Sequence, residues 1–316
     1  MQRFALVGAA GYIAPRHLQA IRDTGNKLVV AYDINDSVGI MDSFFPDAAF
    51  FTVAEKFESF LDGEAVAGRK LDYISICSPN DLHAPHMRTA LRHGADAICE
   101  KPLVLDATDL DALRVVERET GKKIYTILQL RLHDSVITLK AKIDAELAAN
   151  PAKRFAVDLT YLTSRGAWYF TSWKGDLRRS GGIATNIGIH FFDMLSFLFG
   201  NVVENRVHAS NDDAAAGVLS FRNADVRWFL SINEAYLPDA ARAAGKRTYR
   251  SIQFDGEEFE FSEGFTDLHT RSYEAVLCGN GFGLDVAEPS VRLANDIRRM
   301  SLAPLAGDYH PLAQKL

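Results

Sequence analysis

A chain of 316 residues is long enough for two domains, and a hydrophobic content of 47% excludes an intrinsically disordered protein. Its 41 acidic and 35 basic side chains give a net charge of −6, which argues against nucleic acid as the main partner. Three cysteines without a C-x-x-C pair exclude a disulfide framework and a cysteine-based zinc site, and they fit a reducing cytoplasm.

The first 129 residues alternate short apolar runs with helical patterns. The predicted strands are RFALVG, KLVVAYD, AFFT, DYISICS, DAICE and KIYTIL. Helices are predicted between the first two strands, ending near Asp23, and over 81–93 and 107–120. Short apolar strands that alternate with helices predict a doubly wound parallel sheet, the α/β Rossmann fold.

From residue 130 to residue 316 the pattern changes. A helix is predicted over 133–149 and a second over 182–199, with strands at RFAVDLTYLT, VHAS, AAGVLSFR, DVRWFLSINE, RSIQFD and EEFEFS. This order predicts an α+β domain with a largely antiparallel sheet. The apolar run at 181–200 carries Asn186, His190 and Asp193, so we expect a buried helix of a soluble protein rather than a membrane span.

The turn after the first strand has the sequence G-A-A-G-Y-I-A, one residue longer than the usual G-x-G-x-x-G/A fingerprint. Gly8 and Gly11 would let the backbone approach a pyrophosphate, and Tyr12 and Ile13 precede the helix whose N-terminus would bind it. Asp33 ends the second strand, where a carboxylate binds the ribose hydroxyls and repels a 2′-phosphate. The sequence therefore predicts an NAD site. Extended short-chain dehydrogenases share the G-x-x-G-x-x-G spacing, but no tyrosine here is followed four residues later by their catalytic lysine.

Two further features suggest catalysis. Lys101 directly follows a predicted parallel strand, at the edge of the sheet where ligands bind. Asn186, His190 and Asp193 are spaced i, i+4 and i+7, which places them on one helix face, either as a catalytic wall or as a buried hydrogen-bond network. His190 is the natural base at neutral pH, and Asp193 would orient it. We predict no metal here, because no third strong ligand is evident.

The motifs SPNDLHAPH, GADAICEKPLVL and WKGDLRRSGGIATNIGIHFFD resemble the Gfo/Idh/MocA family of oxidoreductases. The family motif has an aspartate where this chain has Asn186, which cannot accept a proton, so the resemblance leaves His190 or Lys101 as the base. An antiparallel sheet often forms the dimer face in this family, which implies a dimer or tetramer. The cofactor residues that the resemblance implies are Gly8, Gly11, Tyr12, Ile13, Asp33, Ser78, Asn80, His83, Glu100, Lys101, Gln129 and Trp173.

Within this family the segments GAAGYIAPRHLQAI, LTYLTSRGAWY and TSWKGD are similar to the WlbA/WbpB subgroup. That resemblance implies NAD-dependent oxidation of the 3-hydroxyl of UDP-N-acetyl-D-glucosaminuronic acid, in bacterial O-antigen and lipopolysaccharide biosynthesis. Some members of the subgroup recycle NADH with 2-oxoglutarate. The alternatives are a dehydrogenase of a free sugar or inositol and a non-catalytic NAD-binding regulator.

An acidic nucleotide sugar requires cations. Arg165, Lys174, Arg178 and Arg179 precede the apolar helix, and Arg131 follows the last predicted Rossmann strand. Aromatic side chains at Trp168, Tyr169 and Trp173 would flank the sugar or the nicotinamide. We expect His83, His86 and His269 to be structural or peripheral. The predicted substrate set is Lys101, Arg131, Arg165, Tyr169, Lys174, Asn186 and His190.

Overall fold

The computed structural model describes residues 1–259 and 266–316. The described chain divides into two compact units. The first consists of Met1–Leu132 and Thr266–Glu288, and the second contains the rest of the described chain from His133 onward.

The first unit contains a six-stranded parallel sheet in the order β3-β2-β1-β4-β5-β6. This is the strand order of a doubly wound nucleotide-binding fold, as the sequence predicts. Its interior strands are buried on both faces, which explains their continuous apolar sequences. The strands are β1 (Arg3–Val7), β2 (Lys27–Tyr32), β3 (Ala49–Phe51), β4 (Tyr73–Ile76), β5 (Asp96–Cys99) and β6 (Ile124–Thr126), and the helices are α1 (Ala14–Asp23), α2 (Ala54–Val66), α3 (His83–Arg92) and α4 (Ala107–Thr120).

The second unit contains a mixed sheet in the order β12-β11-β7-β10-β9-β8. Among the described strands of this sheet only the β10–β7 pair is parallel, so the expectation of a largely antiparallel sheet is confirmed. Its helices are α5 (Asp134–Ala149), α6 (Trp168–Thr171), α7 (Leu177–Ser180), α8 (Ile189–Phe199) and α9 (Asp239–Ala243), and its strands are β7 (Phe155–Thr163), β8 (Val202–Ser210), β9 (Ala214–Phe221), β10 (Ala224–Ser231), β11 (Thr248–Phe254) and β12 (Glu257–Glu258). The predicted strand EEFEFS extends to residue 262, and its residues 260–262 lie outside the described chain.

The helix predicted over 182–199 is not one regular α-helix. A π-helical turn occupies Ala184–Gly188 and leads directly into α8. The stretch Leu177–Phe199 is apolar and long enough to cross a membrane, but 72% of its most apolar window is buried. That burial is what the core helix of a soluble domain shows.

The segment after the second sheet returns to the first unit. Its helix α10 (Leu268–Leu277) packs against α1, and α11 (Leu284–Arg299) follows. Tyr273 and Val276 of α10 join the hydrophobic core formed by Phe4, Leu18 and Ile21. The sequence predicts a contiguous second domain over 130–316. In the structure, Thr266–Glu288 belongs to the first unit instead, because the apolar face of α10 is buried there.

Candidate functional site

The glycine turn lies at the carboxyl end of β1. Gly8 has φ +90°, and a Cβ there would lie 2.6 Å from both the carbonyl carbon of Cys77 and the nitrogen of Ser78. Because a side chain fits neither the conformation nor the space, glycine is required at this position. A Cβ at Gly11 would lie 3.0 Å from the carbonyl oxygen of Gly8, which is also tight.

The extra residue of the turn has an identifiable contact. The Gly8 N–H donates to the carbonyl of Tyr32 at 2.8 Å, and the Gly11 N–H donates back to the carbonyl of Gly8 at 3.0 Å. The N–H of Ala10 points elsewhere, to Oδ2 of Asp33 at 2.9 Å. The lengthened turn therefore holds the acidic residue that the sequence assigns to the ribose.

Asp33 is fixed from both sides. Its Oδ1 accepts hydrogen bonds from the backbone N–H of Asn35 at 2.9 Å and from the Asn35 side chain at 3.2 Å. A carboxylate offers about four acceptor positions, and the bonds from Ala10 and Asn35 occupy three of them, so one position on Oδ2 remains for a ribose hydroxyl. The side chain is 9% exposed, at an edge of the sheet where a ligand can reach it.

These residues fit NAD. The turn leaves no room for a side chain where a pyrophosphate must approach the backbone, and Tyr12 and Ile13 stand at the N-terminal end of α1, where N–H groups and the helix dipole attract phosphate. The carboxylate of Asp33 would disfavour the additional phosphate of NADP.

His83 connects two loops at this edge of the sheet. Its Nδ1 lies 2.7 Å from the carbonyl oxygen of Pro102, and its Nε2 lies 2.9 Å from the carbonyl oxygen of Ser78. Burial lowers the pKa of His83 despite these carbonyls, so the neutral ring has one N–H, and the shorter distance assigns that proton to Nδ1, which donates to Pro102. The Ser78 hydroxyl contacts Nδ1 of His86 at 2.9 Å. The His83 ring thus contacts protein on both sides, and the cofactor-binding role that the resemblance implies for it stays a prediction.

Glu100 lies at the centre of a buried polar network. Its Oε1 is 3.1 Å from Nε2 of His17 and 2.8 Å from Nε2 of His269. The other ring nitrogen of His17 is 2.7 Å from the hydroxyl of Tyr273, which is 2.6 Å from the hydroxyl of Ser75. Burial alone would raise the pKa of Glu100, but hydrogen bonds from the two histidines outweigh it and hold that pKa well below its usual value. Glu100 is therefore an ionised carboxylate that is 7% exposed.

The remaining predicted residues of the first unit lie along the same ends of the strands. Lys101 is half-buried and directly follows Glu100, whose Oε2 accepts the Lys101 backbone N–H at 3.3 Å. Asn80 is buried in the loop after β4, and Gln129 is half-buried after β6. Arg131 directs its guanidinium toward the Phe282 ring, 5.8 Å from the ring centroid.

In the second unit, the π-helical turn and α6 are joined by a buried contact. The side-chain amide of Asn186 donates to the hydroxyl of Tyr169 at 3.1 Å. Tyr169 is 2% exposed, and burial raises the pKa of its phenol. Asn186 therefore acts here as a hydrogen-bond donor, which an aspartate in the ionised state could not do.

Two predicted substrate cations lie close to this pair. The ammonium of Lys174 lies 4.3 Å from the ring centroid of Trp173 and 5.9 Å from that of Trp168. Burial lowers the pKa of Lys174, and the nearby positive charge of Arg165 lowers it further. Within the described chain, neither Lys174 nor Arg165 forms an ion pair with a carboxylate. An anion would relieve both the desolvation and the repulsion.

Arg178 is placed differently from these cations. It is highly exposed and pairs with Asp176 at 3.0 Å, an interaction that keeps the pKa of Asp176 below its usual value. Its charge is therefore partly neutralised. Arg179 is half-buried on the same short helix α7.

The three polar residues predicted to share one helix face are not equivalent. Asn186 lies on the π-helical turn, where hydrogen bonds run i→i+5, so the regular spacing assumed for it and His190 does not apply. His190 is half-buried in the first turn of α8, whereas Asp193 is 2% exposed. Half-burial leaves the His190 imidazole the most accessible of the three.

Sequence reasoning missed His17, Tyr273 and Ser75, and it treated His269 as structural or peripheral. A signal was present. His17 falls on the buried stripe of α1 between Ala14 and Ile21, and His269 and Tyr273 fall on the buried stripe of α10. A polar side chain on an apolar helix face requires a buried partner.

Comparisons with known proteins cover both units. Residues 2–127 match the model of the oxidoreductase family, NAD-binding Rossmann fold (GFO_IDH_MocA), and residues 153–243 match that family's C-terminal alpha/beta domain. Inositol 2-dehydrogenase of Rhizobium meliloti is 29% identical over 199 residues, which are 63% of this chain and 55% of that protein. The match thus spans little more than half of that curated relative.

Solved structures match over nearly the full length. The WlbA (WbpB) dehydrogenase from Thermus thermophilus in complex with NAD and alpha-ketoglutarate is 51% identical, with a TM-score of 0.94, over 99% of this chain and 100% of that chain. The same dehydrogenase in complex with NAD and UDP-GlcNAcA has a TM-score of 0.94 over the same shares. The WlbA dehydrogenase from Bordetella pertussis is 20% identical with a TM-score of 0.75, over 97% of this chain and 98% of that chain, which establishes the common fold only.

Proposed function

Because the chain belongs to the Gfo/Idh/MocA family of oxidoreductases, we propose that it is an NAD-dependent dehydrogenase that oxidises the 3-hydroxyl of UDP-N-acetyl-D-glucosaminuronic acid to the 3-keto sugar. The proposal follows the half-identical Thermus thermophilus relative solved with NAD and UDP-GlcNAcA. The observation in this chain that carries it is the half-buried Lys174 beside Arg165, two cations without a carboxylate partner in the described residues.

The cofactor residues follow from the first unit. The turn at Gly8–Gly11 and the N-terminal end of α1 would hold the pyrophosphate, and Asp33 would hold the ribose. When bound there, NAD⁺ supplies the hydride acceptor for the sugar carbon. Lys101 and Gln129, at the ends of β5 and β6, would line the same edge of the sheet.

Each unit contains predicted substrate residues. Lys174 and Arg165 would bind negative charge of the uronate or the diphosphate, and Tyr169 with Asn186 would hold a sugar hydroxyl. Lys101 or His190 would accept the proton of the 3-hydroxyl during oxidation. Both are half-buried, so each can release its proton to water afterwards.

Reoxidation of the cofactor is part of the proposal. We propose that 2-oxoglutarate accepts the hydride from the reduced cofactor, because the Thermus thermophilus relative was solved with NAD and alpha-ketoglutarate. We also propose a cytoplasmic homo-oligomer, a dimer or tetramer, acting in O-antigen sugar biosynthesis. Light scattering after gel filtration measures the oligomeric state.

A substrate panel tests this function. Stoichiometric protein and NAD⁺ are mixed with UDP-N-acetylglucosaminuronic acid, UDP-N-acetylglucosamine or myo-inositol, and absorbance at 340 nm is recorded before and after 2-oxoglutarate is added. The proposal predicts a rise with the uronate alone and a fall after 2-oxoglutarate. A rise with myo-inositol instead would identify a free-polyol dehydrogenase, and NAD binding without any rise would identify a regulator.

A further inference from the structure

The two residues that flank the proposed proton acceptor contact buried histidines from three different helices. Glu100, on one side of Lys101, is held by His17 of α1 and His269 of α10. On the other side, the Pro102 carbonyl lies 2.7 Å from Nδ1 of His83, which begins α3. The Lys101 backbone is thus fixed at both of its neighbours.

The hydrogen bonds of the network around Glu100 each have a defined donor and acceptor. A carboxylate only accepts, so His17 and His269 both donate from Nε2. Nδ1 of the neutral His17 ring is then an acceptor, and the Tyr273 hydroxyl donates to it at 2.7 Å. The Ser75 hydroxyl in turn donates to Tyr273 at 2.6 Å. These donor and acceptor assignments are mutually consistent, so the hydrogen-bond network has a single arrangement.

Burial makes this arrangement costly to break. His17 is fully buried, His83 is 1% exposed, and Glu100 is 7% exposed. Burial lowers the pKa of His17 more than the adjacent carboxylate raises it, which keeps the ring neutral. Loss of either donor would leave an ionised carboxylate in an apolar interior with too few partners.

Hydrogen bonding accounts for the cluster better than metal ligation does. The ligand atoms of His17, Glu100 and His269 lie within 4.8 Å of one another. However, the separations of 2.8 and 3.1 Å between each Nε2 and the shared oxygen are those of N–H···O hydrogen bonds. A ring nitrogen that carries this proton cannot bind a metal.

We propose that His17, His83 and His269 are positioning residues that fix the backbone at Lys101 and so set where its ammonium group can reach. Lysine has a flexible four-carbon stem, so a fixed backbone is needed to give its amine a defined location. His269 arrives on α10, a segment more than 160 residues further along the chain than Lys101. The proposal rests on the proposed function only in assigning a role in proton transfer to Lys101.

The first test observes Lys101 directly and requires no substrate. Lysines of the folded protein are dimethylated with ¹³C-formaldehyde, and the Lys101 signal is identified as the one missing from Lys101→Arg. We expect His269→Leu and His83→Leu to shift or broaden this signal, because each removes a contact to a neighbouring residue. His269→Gln, which retains an N–H near the position of Nε2, should leave it close to wild type. His93→Leu is the matched control, because His93 contacts Asp62 at 3.2 Å on another part of the unit.

The second test is a double-mutant cycle in single-turnover NADH formation. We expect His269→Leu to lower the rate by about a hundredfold at unchanged affinity for NAD⁺, because misplacing a reacting group by about 1 Å has an effect of that size. In the Lys101→Ala background, His269→Leu should cause less than about a twofold further loss. If His269→Leu does not fold, Tyr273→Phe replaces it, since it removes one hydroxyl and keeps the packed ring.

The outcomes separate the two proposals. An unchanged Lys101 signal in both leucine variants would overturn the positioning role, as would an equal loss of rate in the Lys101→Ala background. One tightly bound transition metal per chain in the purified protein would also overturn it. If wild-type protein fails to oxidise the nucleotide sugar, the proposed function is wrong, and the Lys101 signal still decides the positioning role.

Discussion

The glycine turn of the first unit and the Tyr169–Lys174 region of the second unit differ in what fixes their sequences, backbone geometry in one and side-chain contacts in the other. At the turn, Gly8 is required by backbone geometry, with φ +90° and no space for a Cβ. In the second region, a cluster of two cations and an aromatic ring is built from side chains on short irregular elements: Lys174, Arg165 and Trp173. A backbone requirement restricts the residue type, so it is visible in sequence, whereas a side-chain cluster can be built from many sequences.

Two charged side chains show the same contrast. The Glu100 carboxylate accepts three hydrogen bonds from donors within the protein. Lys174 is partly desolvated and faces a second cation, and within the described chain its ammonium lies beside aromatic rings and pairs with no carboxylate. We infer that the first charge maintains structure and that the second binds a ligand. The predictions below test this division of roles.

The largest effect is expected at the proton acceptor. We expect Lys101→Ala or His190→Ala, whichever removes the general base, to lower single-turnover NADH formation by about a hundredfold or more, because general-base catalysis contributes that much. NAD⁺ affinity measured by calorimetry should change little in His190→Ala, because His190 is not among the predicted cofactor residues. Near wild-type rates in both variants would show that neither residue accepts the proton.

The glycine turn should give the next largest effect. Gly8→Ala places a Cβ 2.6 Å from the Cys77 backbone, so we expect at least about a tenfold rise in the Kd for NAD⁺ by calorimetry. Gly25→Ala is the matched control, since Gly25 also has a positive φ, +72°, but open space around it. Equal affinities in the two variants would mean that the close approach at Gly8 does not serve the cofactor.

Substitution of the two cations Lys174 and Arg165 is expected to affect substrate binding rather than turnover. Lys174→Met and Arg165→Ala should each raise the KM for the nucleotide uronate by about tenfold with kcat nearly unchanged, since each removes a charged hydrogen-bonding group. Arg178→Ala serves as the control because Arg178 is exposed and already pairs with Asp176. A KM that is unchanged in the first two variants would exclude them from anion binding.

The smallest effect is expected at the buried phenol. Tyr169→Phe removes the acceptor of the 3.1 Å hydrogen bond from Asn186, so we expect about a fivefold rise in KM, the effect of one neutral hydrogen bond. Tyr236→Phe, whose ring packs on Phe229 with centroids 5.1 Å apart, is the control. If both variants have the wild-type KM, the Tyr169–Asn186 pair supports the fold and does not contact substrate.

The sequence was sufficient for the Rossmann sheet, because apolar strands and a positive-φ glycine follow directly from local physics. It did not reveal the π-helical turn at Ala184–Gly188, since nothing in local spacing distinguishes i→i+5 from i→i+4 bonding. It also did not reveal the return of α10, whose hydrogen-bond partners Glu100 and His17 lie 169 and 256 positions away in the chain. Contacts between such distant segments leave only a weak trace, a histidine on an apolar helix face.

The roles of the site residues remain predictions that depend on one chemical claim, removal of hydride from C3 of an acidic nucleotide sugar. The most direct measurement uses UDP-N-acetylglucosaminuronic acid that carries deuterium at C3, followed by mass spectrometry of the nicotinamide cofactor after a single turnover. The account predicts one deuterium in the reduced cofactor. Reduced cofactor without deuterium would place the oxidation at another carbon, and no reduced cofactor would contradict the proposed activity.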